Sequence, residues 1–268
     1  ESIKLIEMTD AISMNYERVS KVAKHTSFKS FVYSLEFKRL KKYERSVGST
    51  FDAAFFVSQV DKDYLFNESE GCYEKIHVCP NGVDSETMKY IGPSKSNEII
   101  FIGNLYSAQN LDAAKWFAKN VMPKLLKRGD FRFKVIGRIK EVDKLNLNSL
   151  DGVLATGEVE SVIDEAKGAF AAVCPVRLGA GVQNKILEYL SVGIPAITSK
   201  VGLEGIPANV GQDILLADSE NEYVEQLIEL QRSSTKREQL ARNGRNFIEK
   251  NVSWEAQLSR FVEVIDQF

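Results

Sequence analysis

The sequence predicts a doubly wound α/β protein on three observations: short β-branched or aromatic runs recur, stretches of helical periodicity fill the intervals, and Gly- or Pro-containing turns separate them. Strands are predicted at residues 99–102, 133–136, 153–156, 170–174, 196–198 and 214–216, with helices at 112–127, 163–168, 184–192 and across most of 220–249. Upstream, apolar runs of strand length at 3–8, 53–57 and 76–79 alternate with helical stretches at 27–47 and 61–66. Turn formers gather at Pro80-Asn81-Gly82-Val83-Asp84 and at Gly92-Pro93-Ser94, where proline fixes its backbone and Gly and Asn tolerate left-handed conformations. The expected organisation is an N-terminal unit over 1–80, a linker over 81–97, a C-terminal Rossmann-like unit over 98–252 and a terminal helix over 253–268.

Composition narrows the function. Hydrophobic residues make up 44% of the 268, enough for a folded core. Lys and Arg total 35 against 37 acids, which lacks the basic footprint of a nucleic-acid binder. Cys72, Cys79 and Cys174 form no Cys-x-x-Cys pair and no even framework, so a reducing, cytoplasmic compartment is expected. The apolar runs fall short of the roughly 18 to 20 residues that span a bilayer. The chain begins at Glu1 without an apolar signal region, and its start is expected to be cut.

Residues 177–185 follow a predicted strand, pass through a glycine turn and open a helix. Small residues let a ligand approach the main chain, and the N–H groups at a helix start attract anions. Arg177 and Lys185 add positive charge. On the helix, Asn184, Glu188 and Ser191 share one face, while Ile186, Leu187 and Leu190 supply the apolar one. A carboxylate beyond an anion site repels phosphate but suits a ribose, whose two hydroxyls can both donate to Glu188 while a diphosphate sits beside Lys185. The bland alternative is an i, i+3 ion pair between Lys185 and Glu188 on a solvated face.

The run Gly179-Ala180-Gly181-Val182-Gln183-Asn184-Lys185-Ile186-Leu187-Glu188, with Gly193-Ile194-Pro195, resembles the donor-site motif of retaining glycosyltransferases of the GT-B fold. Phe56-Val57-Ser58 with Asp61, Pro80 to Asp84, Phe101-Ile102-Gly103-Asn104, Val135-Ile136-Gly137-Arg138, Thr156-Gly157-Glu158-Val159 and Ser253-Trp254 are similar to the family's landmarks, in order. The resemblance implies two Rossmann-like doubly wound domains, the first incomplete, and a terminal helix crossing back onto it. It implies a cofactor-free, metal-independent enzyme that moves a sugar from a nucleotide-diphosphate sugar donor to a saccharide or glycolipid hydroxyl in bacterial polysaccharide or glycolipid synthesis.

The same resemblance assigns donor binding to Gly103, Asn104, Arg138, Glu158, Val159, Gly181, Val182, Gln183, Asn184, Lys185 and Glu188, and catalysis to Lys185, Glu188 and Arg177. Asp10 is assigned to the sugar or the acceptor side, with a turn or capping role as the alternative. Two departures stand out: Ala180 occupies the place of a sugar-contacting Glu, and Gly103-Asn104-Leu105-Tyr106 lacks the Arg and Lys that often hold the diphosphate. Without the expected acceptor loop, the chain by itself is expected to bind a nucleotide but to transfer no sugar. A nucleotide-sugar epimerase of the same fold and a non-catalytic nucleotide-sugar-binding module are the rival readings.

Other signals are weaker. Gly179-Ala180-Gly181 begins like a dinucleotide fingerprint, but Asn184 stands at the third glycine position. Asp61-Lys62-Asp63 has a metal-binding form, yet Ser58 three residues earlier makes Asp61 part of a helix start. His25 and His77 lie far apart, and no nucleophile motif surrounds a Ser or Cys. The basic, aromatic stretch 28–45 reads first as a solvated helix face over the core and second as a peripheral contact with the inner face of a membrane.

Overall fold

The computed structural model describes residues 2–22, 28–83, 89–179 and 181–268; Asp84, Ala180 and His25 lie outside the described residues. At the N-terminal end, β1 (Leu5–Thr9) leads into α1 (Ile12–Val22), α2 (Phe28–Thr50), β2 (Ala53–Phe56), α3 (Gln59–Leu65) and β3 (Ile76–Val78). These strands form a parallel sheet in the order β1-β2-β3. Side chains alternate along β2, so Ala54 and Phe56 enter a core with Val47, Leu65 and Ile76, and Phe55 faces the other way. Helix α1 is absent from the sequence-based expectation because its N-terminus is held from a distance. Ala11 N donates to Asp61 Oδ1 at 2.9 Å and Ser13 N to Glu44 Oε1 at 3.1 Å, placing two buried carboxylates at the positive end of the helix.

The second sheet contains β4 (Glu98–Ile102), β5 (Arg132–Ile136), β6 (Val153–Gly157), β7 (Ala169–Cys174), β8 (Ala196–Thr198) and β9 (Leu215–Leu216). All pairings are parallel, in the order β6-β5-β4-β7-β8-β9. The chain winds outward from β4 to β6, then returns to the far side of β4 and winds the opposite way. Strand β7 is buried along its whole length, as expected of a central parallel strand covered on both faces. The connections are α4 (Ala108–Trp116), a π-helical turn over Phe117–Val121, α5 (Met122–Leu126), α6 (Glu141–Asn148), α7 (Val162–Ala166), α8 (Asn184–Ser191) and α9 (Lys200–Leu203). They are followed by α10 (Glu220–Arg232), α11 (Ser234–Asn251) and α12 (Trp254–Ile265).

Local chemistry accounts for the differences from expectation. Helix α6 escapes notice because Val142 and Leu145 point to solvent and Leu147 alone is buried. The helical stretch expected over most of 220–249 is divided at Ser233, whose hydroxyl accepts the Lys236 N–H and caps α11.

The chain passes between the sheets twice, side by side. Val83 N donates to Val252 O at 2.8 Å, and Val83 forms a parallel bridge with Ser253. Ile91 N and Gly92 N both donate to Val192 O, at 2.9 and 3.1 Å, which fastens the later part of the linker to the end of α8. Helix α12 then lies on the first sheet, with the rings of Phe261 and Phe55 4.4 Å apart. Lys41 and Arg45 of α2 are engaged by their own chain: Lys41 Nζ lies 3.7 Å from the Tyr64 ring centre, and Arg45 pairs with Glu70 at 2.9 Å. Among the described residues, no helix is long and apolar enough to cross a membrane.

Hydrogen bonds lace the carboxyl ends of β4, β5 and β6 together, with Gly103 N donating to Ile136 O at 3.0 Å and Gly137 N to Gly157 O at 3.1 Å. Gly137 has φ +132, and a Cβ there would overlap the Gly103 carbonyl oxygen. Gly137→Ala should therefore lower the unfolding free energy by more than about 1 kcal/mol, since both the dihedral and the space demand glycine. Urea denaturation measures this, and an unchanged midpoint would mean that the laced ends can move apart.

Candidate functional site

A cleft of about 650 Å³ opens beyond the carboxyl ends of β4 and β5 and beside the start of α8, with Asp10 of the first sheet on its opposite wall. In open α/β sheets, ligands bind where the strand order reverses, here between β4 and β7. The cleft brings together Asp10, Gly103, Asn104, Arg138, Val182, Gln183, Asn184, Lys185 and Glu188 from the sequence-based set.

Two of these, Lys185 and Glu188, are the charged residues that α8 brings to the cleft. Lys185 is only 9% exposed, and its ammonium donates to Gln183 Oε1 at 2.8 Å and lies 5.7 Å from the Phe101 ring centre. Its charge is thus held at the helix start, reinforcing the positive end of the dipole. Glu188, three residues on, is half-buried, and among the described residues its carboxylate has no hydrogen bond or ion pair. Burial pushes its pKa up, and the nearby Lys185 charge offsets part of that. The i, i+3 ion pair does not form, because Lys185 turns back to Gln183. Asn184 Oδ1 accepts a hydrogen bond from Asn81 Nδ2 at 3.0 Å, tying the linker to the helix start.

Asp10 reaches the cleft from the end of β1. Thr9 just before it has φ 59, a costly conformation for a β-branched residue, and the β1–β2 register shifts at this point. Asp61 is fully buried, accepting from Ala11 N and bonded to the Ser58 hydroxyl, while Ser58 Oγ caps α3 by accepting Asp61 N at 3.1 Å. Burial and the Asp61 charge raise the pKa of Asp10 to about 6.

Four expected positions lie outside the lining of this cleft. Arg177 does not line the cleft: its guanidinium pairs with both oxygens of Asp112 at 2.8 and 2.9 Å and lies 5.6 Å from the Trp116 ring centre. Asp112 and Trp116 stand one turn apart on α4, opposite the end of β7, a proximity set by tertiary structure. Gly181 is buried rather than open to a ligand. A Cβ there would overlap the Asp10 carboxylate, so the group that needs the missing side chain is a protein carboxylate. Val159 packs against the core, outside the cleft lining. Glu158 pairs with Arg138 at 2.8 Å and lines a smaller adjoining hollow of about 340 Å³ with Asn104 and Tyr106.

The cleft also includes residues that were not expected as site residues: Ile102, Gln109, Ile136, Gly137, Ser161, Val162 and Ile163. Ile102 and Ile136 end strands, where the strand-end rule could have found them. Gln109 carries a stronger physical mark, because its Oε1 is buried without a hydrogen-bond partner among the described residues. Among the described residues, no group of three or more His, Cys, Asp or Glu is arranged to hold a metal.

Residues 96–233, just over half of the chain, match the family described as glycosyl transferases group 1. The chain belongs to that family. A relative within reach of sequence comparison is an uncharacterized 44.6 kDa protein in the cps region of Klebsiella pneumoniae, 25% identical over 234 residues, which cover 84% of this chain and 58% of the relative. Among solved structures, sucrose-phosphate synthase from Thermosynechococcus elongatus is similar with a TM-score of 0.75 at 14% identity, covering 98% of this chain and 67% of that one. TarM, known from S. aureus, gives 0.71 at 13% identity over 85% of this chain and 46% of its own. Anabaena HepE in complex with UDP gives 0.72 at 12% identity over 99% and 79%. The fold of this group 1 chain is therefore GT-B, and the chain spans only part of the length of these relatives.

The Asp10 carboxyl gives a test within the first sheet. Its pKa is about 6 in the fold and 3.8 as the ordinary value, so between these the unfolded chain binds fewer protons and stability falls as pH rises. Asp10→Asn should melt higher than the parent chain at neutral pH, with the difference closing below pH 3.8. Identical melting curves at both ends would mean that the carboxylate is fully solvated.

Proposed function

We propose that the protein transfers a sugar, with retention, from a nucleoside-diphosphate sugar to a hydroxyl of a saccharide or glycolipid acceptor. The observation that carries this reading is the half-buried, unpartnered Glu188 carboxylate one turn beyond the buried Lys185, at the start of a helix that borders the switch-point cleft. Glu188 accepts the two ribose hydroxyls, and the diphosphate lies against Lys185 and the helix start. Ile136, Val162 and Ile163 give the base an apolar wall, with Arg138 and Glu158 at its rim.

When the bond between the anomeric carbon and the diphosphate breaks, negative charge gathers on the leaving oxygen. Lys185, already held in place by Gln183, stabilises that charge without having to reorganise. Asp10 faces the transferred sugar or the acceptor from the other wall. Residues 98–252 form the donor side and 1–80 the acceptor side, joined by 81–97, with 253–268 crossing back. The reading draws support from UDP in HepE and TarM structures and from the cps region that encodes the Klebsiella relative, which suggests polysaccharide synthesis.

Calorimetry with UDP, GDP, ADP and CDP tests the donor site directly, and a chain that binds none of them does not have it. For the nucleotide that binds, Glu188→Ala should weaken affinity by about 2 kcal/mol, the scale of hydrogen bonds to a charged group, or roughly thirtyfold. The same change should matter much less for the 2′,3′-dideoxy form, whereas Lys185→Ala should weaken both alike. Equal losses for both nucleotides in Glu188→Ala would make Glu188 structural. Product analysis with the full-length protein separates transfer from epimerisation and from binding alone.

A further inference from the structure

The loop that leads into α8 touches the N-terminal unit at two places. One is the packing of Gly181 under the Asp10 carboxylate. The other is Arg18, on α1 eight residues beyond Asp10, which the donor-site reading leaves unused. Its Nη1 donates to the carbonyl oxygen of Gly179, and its Nη2 meets both carboxylate oxygens of Glu204, at 2.9 and 2.8 Å. Glu204 follows α9, so one guanidinium joins α1 to two separate loops of the second sheet. Gly205, next to it, completes this seam, because a Cβ there would come within 2.7 Å of Ser58 Cβ.

We infer that Arg18 is a positioning residue that sets the glycine loop, and through it Lys185, against Asp10 across the seam. This rests on the donor-site reading of Lys185. Three considerations lead to it. The Arg18–Glu204 pair, with side-chain exposures of 23% and 25%, joins α1 to the loop after α9 across the seam, so its effect falls on how these parts are placed against each other. A guanidinium offers donors in a fixed fork, which suits holding a carbonyl and a carboxylate at once; an ammonium is a single point charge. Finally, the carbonyl it holds belongs to a residue that faces the cleft amides: a Cβ built on Gly179 would lie 3.3 Å from Gln109 Oε1 and 3.6 Å from Gln183 Nε2. Gln183 in turn holds the Lys185 ammonium. Arg18, Gly179, Gln183 and Lys185 therefore follow one another in space, with Arg18 bonded to the first of the loop residues and Gln183 to the lysine.

Trypsin reads the loop without any ligand, because Arg177 stands at its start between buried Val176 and Leu178 and is held by Asp112, so cleavage there requires the loop to open. In the folded chain, Arg18→Ala should speed cleavage after Arg177 severalfold while leaving other sites and the melting temperature close to the parent's. Arg18→Lys should give an intermediate rate, and Glu204→Gln, which keeps the Gly179 contact, a smaller rise. Calorimetry with whichever of UDP, GDP, ADP and CDP the parent chain binds should show about a tenfold loss of affinity in Arg18→Ala. The inference is overturned if cleavage after Arg177 is unchanged, if it rises equally at every site, or if the loop loosens while affinity for that nucleotide holds. Should Arg18→Ala fail to fold, Glu204→Gln carries the same comparison. If the parent chain binds none of UDP, GDP, ADP and CDP, the donor-site reading fails, and with it the link to Lys185, while proteolysis still decides whether Arg18 holds the loop.

Discussion

Between β4 and β7 the chain reverses the direction in which it builds its sheet, and everything at the cleft depends on that reversal. Right-handed crossovers on the two sides of the reversal send the connections to opposite faces, so no segment fills the space above these two strand ends. A helix start, a glycine loop and a laced set of strand ends then face one another across a gap the protein does not close. The six buried residues of β7, four of them Ala or Cys, keep the sheet layers close and deliver the loop after β7 to the rim.

Charge is distributed around this gap in an uneven way. Lys185 is buried but satisfied by an amide oxygen, whereas Glu188 is left with open acceptor capacity, and Asp10 sits in surroundings that favour its protonated form. Desolvating a carboxylate without a partner costs the free protein stability, and a ligand that supplies donors recovers it. Asp61 and Glu44 are the opposite case. Both are buried, but each receives main-chain N–H groups from the start of α1, so they serve the scaffold that aims Asp10.

Much of this was legible in the sequence because it is local. The six strands of the second sheet, the helix from Asn184 and the cap at Ser58 follow from periodicity and from capping chemistry within a few residues. Long-range partners were not legible. Arg177 reads as a cation beside an anion site until Asp112, 65 residues away, takes it; Gly181 reads as room for a ligand until Asp10 fills that room. Helix α1 has the same history, since its capping carboxylates lie 31 and 50 residues downstream. Ala180, where the resemblance departs from the family's usual glutamate, lies outside the described residues.

The two chain crossings between the sheets are bonded to each other, Val83 to Val252 and Ser253, and the outgoing one is fastened again at Val192 before β4 begins. A single strand joining two bodies lets them swivel about any axis. Two strands held side by side act as a flat strap, which folds easily across its width and resists twisting. The two halves are thereby joined by a pair of chain passages bonded to each other at Val83, Val252 and Ser253, and not by one passage alone.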